Sequence, residues 1–327
     1  MTRHTYTKWG MVVKFLFSLV LLGLLTVLAV KYFYTPNTPK VDDAVAVATS
    51  TPPVKKPLLV TEPILSITPT EIVQGEPALI TAMGVTSTSS VKSFTFDNRP
   101  LVMFIHEGQV SALLGVDLRA VSGTFPLVLT FNDGSQIKEN FIVGQRTIVK
   151  APFDIPDKLG GNTRESERQL IYTLAQEGKI VNAVPTGNQK LWTEKFKPPL
   201  DGPLVVNDPY GYTRLVGAST MPHKGTDFRA PIGTPVYAMN RGEVRFTSEL
   251  RNYGKTVIID HGLGLQTVYM HLSEIKVTLG QLVEKGEIIA LSGDTGYVFG
   301  PHLHLTVRIW DISIDPMKFL ELLGEDN

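Results

Sequence analysis

Short β-type runs separated by turn residues most limit the folds open to this 327-residue chain. Over residues 60–145, β-branched and aromatic runs are interrupted by turns about every eight to twelve residues, which is typical of an antiparallel β-sandwich. Asn132-Asp133-Gly134 predicts a hairpin between the runs on either side of it. From residue 204 onward the β-type runs return, with many glycines between them. The sequence therefore predicts a mainly β protein of about two domains.

The predicted elements fall into two β regions with one helix between them. Thr163 fits the N-cap of that helix, which we predict over residues 163–177 and expect to end at Gly178. A second helix is predicted over Pro316–Leu323. The predicted strands are Val60–Thr68, Ala78–Met83, Val91–Phe96, Leu101–His106, Val110–Val116, Phe125–Phe131, Glu139–Val143, Pro235–Met239, Gly242–Thr247, Thr256–Asp260, Leu265–His271, Ile288–Leu291 and His302–Ile309.

The N-terminal segment has the composition of a membrane anchor. Met11–Val30 is a run of twenty residues whose single charge is Lys14. As a helix it would span roughly 30 Å, the thickness of a bilayer core. Positive charges precede the run, so the positive-inside rule predicts a cytoplasmic N-terminus and an extracytoplasmic remainder, on the periplasmic or cell-wall side. The alternative is a cleaved signal peptide, but no small-residue cleavage site lies directly behind the run.

Composition excludes several classes of protein. The chain has no cysteine, which excludes disulfides, a thiol nucleophile and thiolate metal sites. Its 31 basic and 31 acidic residues give no basic excess, which argues against a nucleic-acid-binding protein. No glycine-rich nucleotide-binding pattern lies between a predicted strand and a predicted helix. Residues 35–59 are rich in proline and threonine, and their composition predicts a semi-extended tether.

Histidines are concentrated in the C-terminal region, where five of the seven lie between residues 223 and 304. His302 and His304 are two apart in a predicted strand, so their side chains leave the same face. His223 and Asp227 add a nitrogen and a carboxylate close together in sequence. Three such ligands with one open position form the pattern of a catalytic zinc site. The spacing alone leaves open which of His302 and His304 would bind the metal.

The motifs around these histidines resemble the lysostaphin/LytM-type zinc metallopeptidases. The resemblance covers about residues 205–316 in continuous order, and residues 60–145 also resemble a small domain that precedes the catalytic domain in some exported members. The motifs are MPHKGTDFRAPIGTPVYA, GKTVIIDHGLGLQTVYMHLS, VTLGQLVEKGEIIALSGDTG and GPHLHLTVR.

The resemblance implies a fold, an activity and a role for each site residue. It implies a C-terminal domain related to barrel-sandwich hybrids, which hydrolyses peptides of bacterial peptidoglycan and binds Zn²⁺. His223, Asp227 and His304 match the zinc ligands of the family, whereas His271 and His302 match its two catalytic imidazoles. The position of Thr306 is commonly acidic in the family, so a contact beside the site is expected to differ here.

These inferences together predict five segments. They are a cytoplasmic tip and transmembrane anchor over residues 1–34, the tether over 35–59, a β-sandwich over 60–147, a connector with its helix over 148–200, and a zinc metallopeptidase domain over 201–327. The segment over residues 11–34 would contact the lipid bilayer.

Two alternatives remain open. One is a non-catalytic relative that binds the cell wall or activates another hydrolase. The other is a carrier module, because Val277–Glu287 resembles the hairpins of lipoyl- and biotinyl-type folds and contains Lys285. For His106 and His261 we expect structural roles. Tyr269 could face the core or the cleft.

Overall fold

A β-sandwich forms the N-terminal part of the computed structural model, which describes residues 62–193 and 195–325. Its strands are β1 (Ile64–Thr68), β2 (Glu71–Val73), β3 (Pro77–Met83), β4 (Val91–Phe96), β5 (Arg99–Pro100), β6 (Met103–His106), β7 (Gln109–Gly115), β8 (Gly123–Phe131) and β9 (Gln136–Gly144). One sheet has the order β1-β3-β7-β6, and the other has the order β2-β9-β8-β4-β5.

Alternating apolar residues hold the two sheets of the sandwich together. Ala78, Ile80 and Ala82 of β3 are fully buried, as are Leu127 and Leu129 of β8. This spacing of two puts each set on one face of its sheet. The hairpin predicted at Asn132–Gly134 joins β8 to β9. The sequence missed β2 and β5, which have three and two residues and are too short to show a period of two.

One long helix and a small sheet lie between the sandwich and β14. Strand β10 (Lys150–Pro152) precedes helix α1 (Arg164–Asn182), and β11 (Val206–Asp208), β12 (Thr213–Val216) and β13 (Ser219–Pro222) follow it. Strand β10 runs parallel to β12, and β12 is antiparallel to β13. Strand β11 instead joins the edge of the large C-terminal sheet beside β14.

The C-terminal domain is built around a large antiparallel sheet. Its central path has the order β11-β14-β21-β18-β17-β16-β19, and three more strands pair alongside it. Residues 62–325 belong to one compact unit. The elements are β14 (Thr226–Arg229), β15 (Pro235–Tyr237), β16 (Gly242–Leu250), β17 (Gly254–Gly262), β18 (Leu265–Ile275), β19 (Leu282–Val283), β20 (Ile288–Ser292), β21 (His302–Ile309), β22 (Ile312–Ile314) and helix α2 (Pro316–Leu323).

Strand β21 separates apolar from polar side chains. Leu303, Leu305, Val307 and Ile309 are at most 4% exposed and belong to the main apolar core. The intervening residues His302, His304, Thr306 and Arg308 leave the opposite face, because neighbouring side chains on a strand alternate. Strand β21 therefore contributes apolar side chains to the core from one face and polar side chains, including two histidines, from the other.

Helix α1 is longer than the sequence predicted. Thr163 is its N-cap as expected, and its hydroxyl accepts a hydrogen bond from the Ser166 amide. The prediction that Gly178 ends the helix was wrong, since the helix continues to Asn182. A helical glycine costs roughly 1 kcal/mol. Burial of Val181 in a cluster with Ile258, Val268 and Met270 offsets that cost.

The anchor and tether predicted over residues 1–59 lie outside the described residues. Within the part of the chain that the structure describes, no helix has the length and apolarity needed to cross a membrane.

Candidate metal centre

Neighbouring strands bring the predicted site residues together. Asp227 of β14 lies directly opposite His304 of β21 in the antiparallel register, and Met270 of β18 lies opposite His304 on the other side. His271 comes directly after Met270 and so lies close to His304. His223 lies between β13 and β14. All five site residues named from the sequence thus lie on or beside β14, β18 and β21. Their individual roles stay predictions.

His223, Asp227 and His304 form a group that fits a metal ion. Their ligand atoms all lie within 4.8 Å of one another. The Asp227 Oδ1 atom is 2.7 Å from His304 Nδ1 and 3.2 Å from His223 Nε2, and these two nitrogens are 3.1 Å apart. A tetrahedral zinc ion with bonds of about 2.0–2.1 Å separates its ligand atoms by roughly 3.3 Å. Two imidazoles and a carboxylate at this spacing therefore match zinc.

Hydrogen bonds on the outer side of the two ligand histidines direct their free nitrogens inward. His223 Nδ1 donates to the Pro209 carbonyl over 3.0 Å, which leaves Nε2 as the lone-pair atom toward the group. His304 Nε2 lies 2.9 Å from the Thr306 hydroxyl, which can accept a hydrogen bond from the Nε2–H group and so leave Nδ1 as the lone-pair atom. Thr306, the residue for which we expect a different contact, thus lies beside His304.

His271 and His302 lie side by side next to this group, with ring centroids 4.8 Å apart. His271 Nδ1 donates to the Thr295 carbonyl over 2.9 Å, and His302 Nδ1 donates to the Gly300 carbonyl over 2.9 Å. Both rings therefore keep Nε2 free to accept or donate a proton. The pair lies on the wall of the same cavity as Asp227.

The backbone at His271 is held in an unusual conformation. Its φ angle is 62°, in the left-handed region that non-glycine residues rarely adopt. Its amide donates to the Tyr253 carbonyl over 3.0 Å. The buried Glu177 carboxylate of α1 accepts from the amides of Asn252 and Tyr253. Helix α1 thus supports the loop against which His271 is placed.

Burial and neighbouring charges set the protonation of the site. Burial lowers the pKa of His271 well below its usual value, and His302 and His304 lower it further. Burial also lowers the pKa of His304, to about 4. Burial acts to raise the pKa of Asp227, but His223 and His304 outweigh it and hold that pKa well below its usual range. At neutral pH His304 therefore offers a neutral imidazole and Asp227 an ionised carboxylate, the forms that bind metal.

A cavity of about 290 Å³ opens onto the site. Besides Asp227, His271 and His302, its walls include residues that the sequence did not single out: Phe153, Asp208, Arg214, Tyr297 and Phe299. Phe153 stacks on Tyr297 with ring centroids 5.4 Å apart. No motif marked these residues, because they lie on short strands and loops that are far apart in sequence, and only the tertiary fold brings them to the site.

The remaining candidates lie elsewhere. Tyr269, left open by the sequence, is fully buried in the core, where its hydroxyl accepts from the Met239 amide. His261 is also fully buried, with Nδ1 donating to the Arg241 carbonyl. His106 lies on β6 of the sandwich. The Lys285 ammonium forms a 2.8 Å ion pair with Glu325.

Residues 221–316 match the sequence profile described as Peptidase family M23. The C-terminal domain is an M23 metallopeptidase domain. The predicted lysostaphin/LytM-type resemblance is therefore confirmed, and zinc is the metal that this family and the His/Asp/His group assign to the site.

Curated relatives also match part of this chain. Peptidoglycan DD-endopeptidase ShyA of Vibrio cholerae is 42% identical over 173 residues, which is 50% of this chain and 40% of that protein. ShyB of the same organism, also named a peptidoglycan DD-endopeptidase, is 43% identical over 103 residues, or 32% of this chain and 24% of that protein. The chain thus matches less than half of the length of either relative.

A solved structure matches more of the fold. The crystal structure of a putative peptidase M23 from Pseudomonas aeruginosa is 28% identical to this chain, with a TM-score of 0.57. The match covers 76% of this chain and 94% of that one. It therefore extends beyond the M23 domain itself.

Proposed function

We propose that this protein is a membrane-anchored, zinc-dependent endopeptidase that hydrolyses peptide cross-links of bacterial peptidoglycan outside the cytoplasmic membrane. The observation that carries the proposal is the close approach of two kinds of group at one site. A His/Asp/His group that fits zinc stands beside two further imidazoles, each with a free Nε2.

The protein's own residues supply proton transfer in this proposal. A zinc ion held by His223, Asp227 and His304 would supply a Lewis acid that activates a water and polarises the scissile carbonyl. His271 or His302 would accept the proton of the nucleophile and later donate one to the leaving amine. Burial keeps His271 neutral and able to accept that proton at neutral pH. A protonated imidazole would also stabilise the negative charge that develops on the carbonyl oxygen.

The names of the relatives favour a particular bond. ShyA and ShyB are both named peptidoglycan DD-endopeptidases. We therefore propose that this chain cuts the D,D-peptide bonds of cross-links. The apolar run over residues 11–30 and the tether after it support an anchor from which the enzyme reaches a substrate outside the membrane.

The test uses the full-length protein, purified in detergent, on cross-linked peptidoglycan sacculi. We expect soluble fragments whose masses show loss of peptide cross-links. A chelator should abolish their release, and added Zn²⁺ should restore it. His304→Ala should lose both bound metal and activity, whereas His106→Ala should keep both, because His106 lies in the sandwich.

The contrary result is equally clear. A protein that binds zinc stoichiometrically and binds sacculi, yet releases no fragment, would be a non-catalytic relative. Full activity in both His271→Ala and His304→Ala would show that the site lies elsewhere. Separation of membrane and soluble fractions from cells that produce the full chain or a deletion of residues 11–30 tests the anchor.

A further inference from the structure

Arg214 joins the metal group to the connector. It lies on β12, outside the segment that matches the M23 profile. Its Nη2 atom lies 3.0 Å from Asp227 Oδ2 and 2.6 Å from Asp208 Oδ2, and its Nε lies 3.2 Å from the same Asp208 oxygen. One guanidinium thus binds two carboxylates, and one of them belongs to the metal group.

The two oxygens of Asp227 have separate partners. Oδ1 faces His304 Nδ1 at 2.7 Å and His223 Nε2 at 3.2 Å. Oδ2 accepts the hydrogen bond from Arg214. A carboxylate can bind a metal through one oxygen or through both. Arg214 occupies the oxygen that a second metal bond would need, and so favours ligation through Oδ1 alone.

Arg214 is itself held on two sides. Asp208 of β11 is paired in register with Asp227 of β14, so both carboxylates are fixed by the same pair of strands. The Arg214 guanidinium lies 4.5 Å from the centroid of the Phe153 ring. A planar guanidinium suits such a place, because it can stack on a ring and donate to two carboxylates at once. A lysine ammonium is not planar and cannot direct two fixed N–H groups at two carboxylates while it stacks on a ring.

We propose that Arg214 is a positioning residue for the metal centre: by binding Asp227 Oδ2, it restricts that carboxylate to one metal bond and keeps a coordination position open for chemistry. This inference rests on the proposed function for its effect on turnover. Its effect on the metal site does not depend on that function. Asp208 and Phe153 hold Arg214 in place.

The test compares full-length wild-type protein with Arg214→Met, Arg214→Lys and a matched control, Arg146→Met. Arg146 also binds a carboxylate and lies over a ring, with a 2.6 Å contact to Asp315 and a guanidinium 5.2 Å from the Tyr210 ring. Its polar partners among the described residues are Gln74, Glu76, Tyr210 and Asp315, so it does not bind the metal group directly. The measurements are Zn²⁺ affinity by chelator competition, the visible spectrum of the Co²⁺-loaded protein, Tm, and kcat and KM on cross-linked fragments.

We expect Arg214→Met to change the Co²⁺ spectrum and to weaken Zn²⁺ binding by roughly 10- to 100-fold, the usual effect of removing the partner of a metal ligand. At saturating metal its kcat should fall by a similar factor while KM changes less than about threefold. Arg214→Lys should recover part of the loss, because it restores the charge but not the fork. Arg146→Met should leave spectrum and affinity unchanged.

Two outcomes would overturn the inference. One is an Arg214→Met protein with the wild-type spectrum and Zn²⁺ affinity. The other is a loss of Tm and activity in parallel in both arginine variants, with metal binding unaltered, which would make Arg214 a purely structural residue. If the wild type binds metal but hydrolyses nothing, the proposed function fails, and the spectrum and the affinity still decide the role of Arg214.

Discussion

The sandwich and the C-terminal domain are both built of antiparallel strands, yet they bury different side chains. In residues 62–147 the buried polar residue is Ser111, whereas residues 201–325 of the described chain bury sixteen polar or charged residues. Burial of a polar group costs free energy unless it is hydrogen-bonded, so folding alone does not favour such residues. The contrast indicates that the sandwich is a scaffold and that the C-terminal domain carries the chemistry.

Several of the buried polar residues in the C-terminal domain belong to the site or contact a residue that does. Thr306 supports His304, and Asp227 is bound by Arg214. Others hold the polypeptide near the site, as Asn252 does by donating its amide to Glu177. The sandwich has no comparable network among residues 62–147, because its interior is filled by alternating apolar side chains. Substitutions in the two regions should therefore differ in kind.

The largest expected difference concerns one histidine from each region. His302→Ala should lower kcat/KM by roughly 10²- to 10⁴-fold, the range that a general acid or base contributes. His106→Ala should change it less than about twofold. Both variants are to be assayed on the same cross-linked substrate with their zinc content measured. An equal loss in the two would show that the contrast between the regions has no bearing on catalysis.

Alanine substitution of one core phenylalanine in each region should distinguish an effect on stability from an effect on activity. Phe141 fills the sandwich core, and Phe228 follows Asp227 on β14. Each alanine variant should lose about 3–5 kcal/mol of unfolding free energy in urea titrations. We expect activity per folded molecule to stay normal in Phe141→Ala and to fall in Phe228→Ala, since only the latter shifts a strand that carries a metal ligand. Loss of activity in Phe141→Ala at full folding would mean that the sandwich shapes the site.

Buried histidine should also make the C-terminal domain sensitive to acid. Burial lowers the pKa of His261 to about 4, below the value of 6.5 for a free imidazole. The unfolded chain therefore binds more protons than the folded one between these values, and stability falls as the pH drops through that window. Between pH 7 and pH 5 the loss from this residue should be about 2 kcal/mol.

Comparison of wild type with His261→Asn in urea titrations at both pH values isolates this effect. The variant should show a smaller fall in stability than the wild type over the same interval. Tryptophan fluorescence is a suitable signal, because Trp192 packs in the main core beside this domain. Parallel pH dependence in the two proteins would rule out His261 as the cause.

The smallest effect is expected for the partner of His304. Thr306→Val keeps the shape of the side chain but removes the hydroxyl near His304 Nε2. Without this hydroxyl, the His304 ring is held less firmly in the tautomer whose Nδ1 lone pair faces the metal group. Zn²⁺ affinity should therefore fall by roughly tenfold. Thr306→Ser is the matched control and should bind zinc as the wild type does. Chelator competition measures both.

The sequence predicted those parts of the molecule in which one pattern extends over many residues. The bounds of β21 and of α2 were correct, because alternation and a helical start signal are both clear there. The end of α1 was wrong, because burial of Val181 is a tertiary effect that outweighs a local glycine. The strands β2 and β5 are too short for any periodicity. The predicted domain boundaries, the anchor and the tether stay predictions.

The site was predictable only where histidine and aspartate form motifs. The sequence named His223, Asp227, His271, His302 and His304, and the structure brings them together. It did not single out Arg214, Asp208 or Phe153. A single arginine in a short strand carries no periodic signal, and its contact with Asp227 joins β12 of the small sheet to β14 of the large sheet.

Apolar and polar side chains alternate along β21, so the apolar core and the metal group depend on the same strand register. A slip of one residue in its pairing with β14 or β18 would turn the histidines toward the core and expose the leucines. Such a molecule would lose its apolar interior and its metal ligands together. A chain with β21 in the wrong register therefore cannot hold the metal group, and the group forms only when the sheet is correctly assembled.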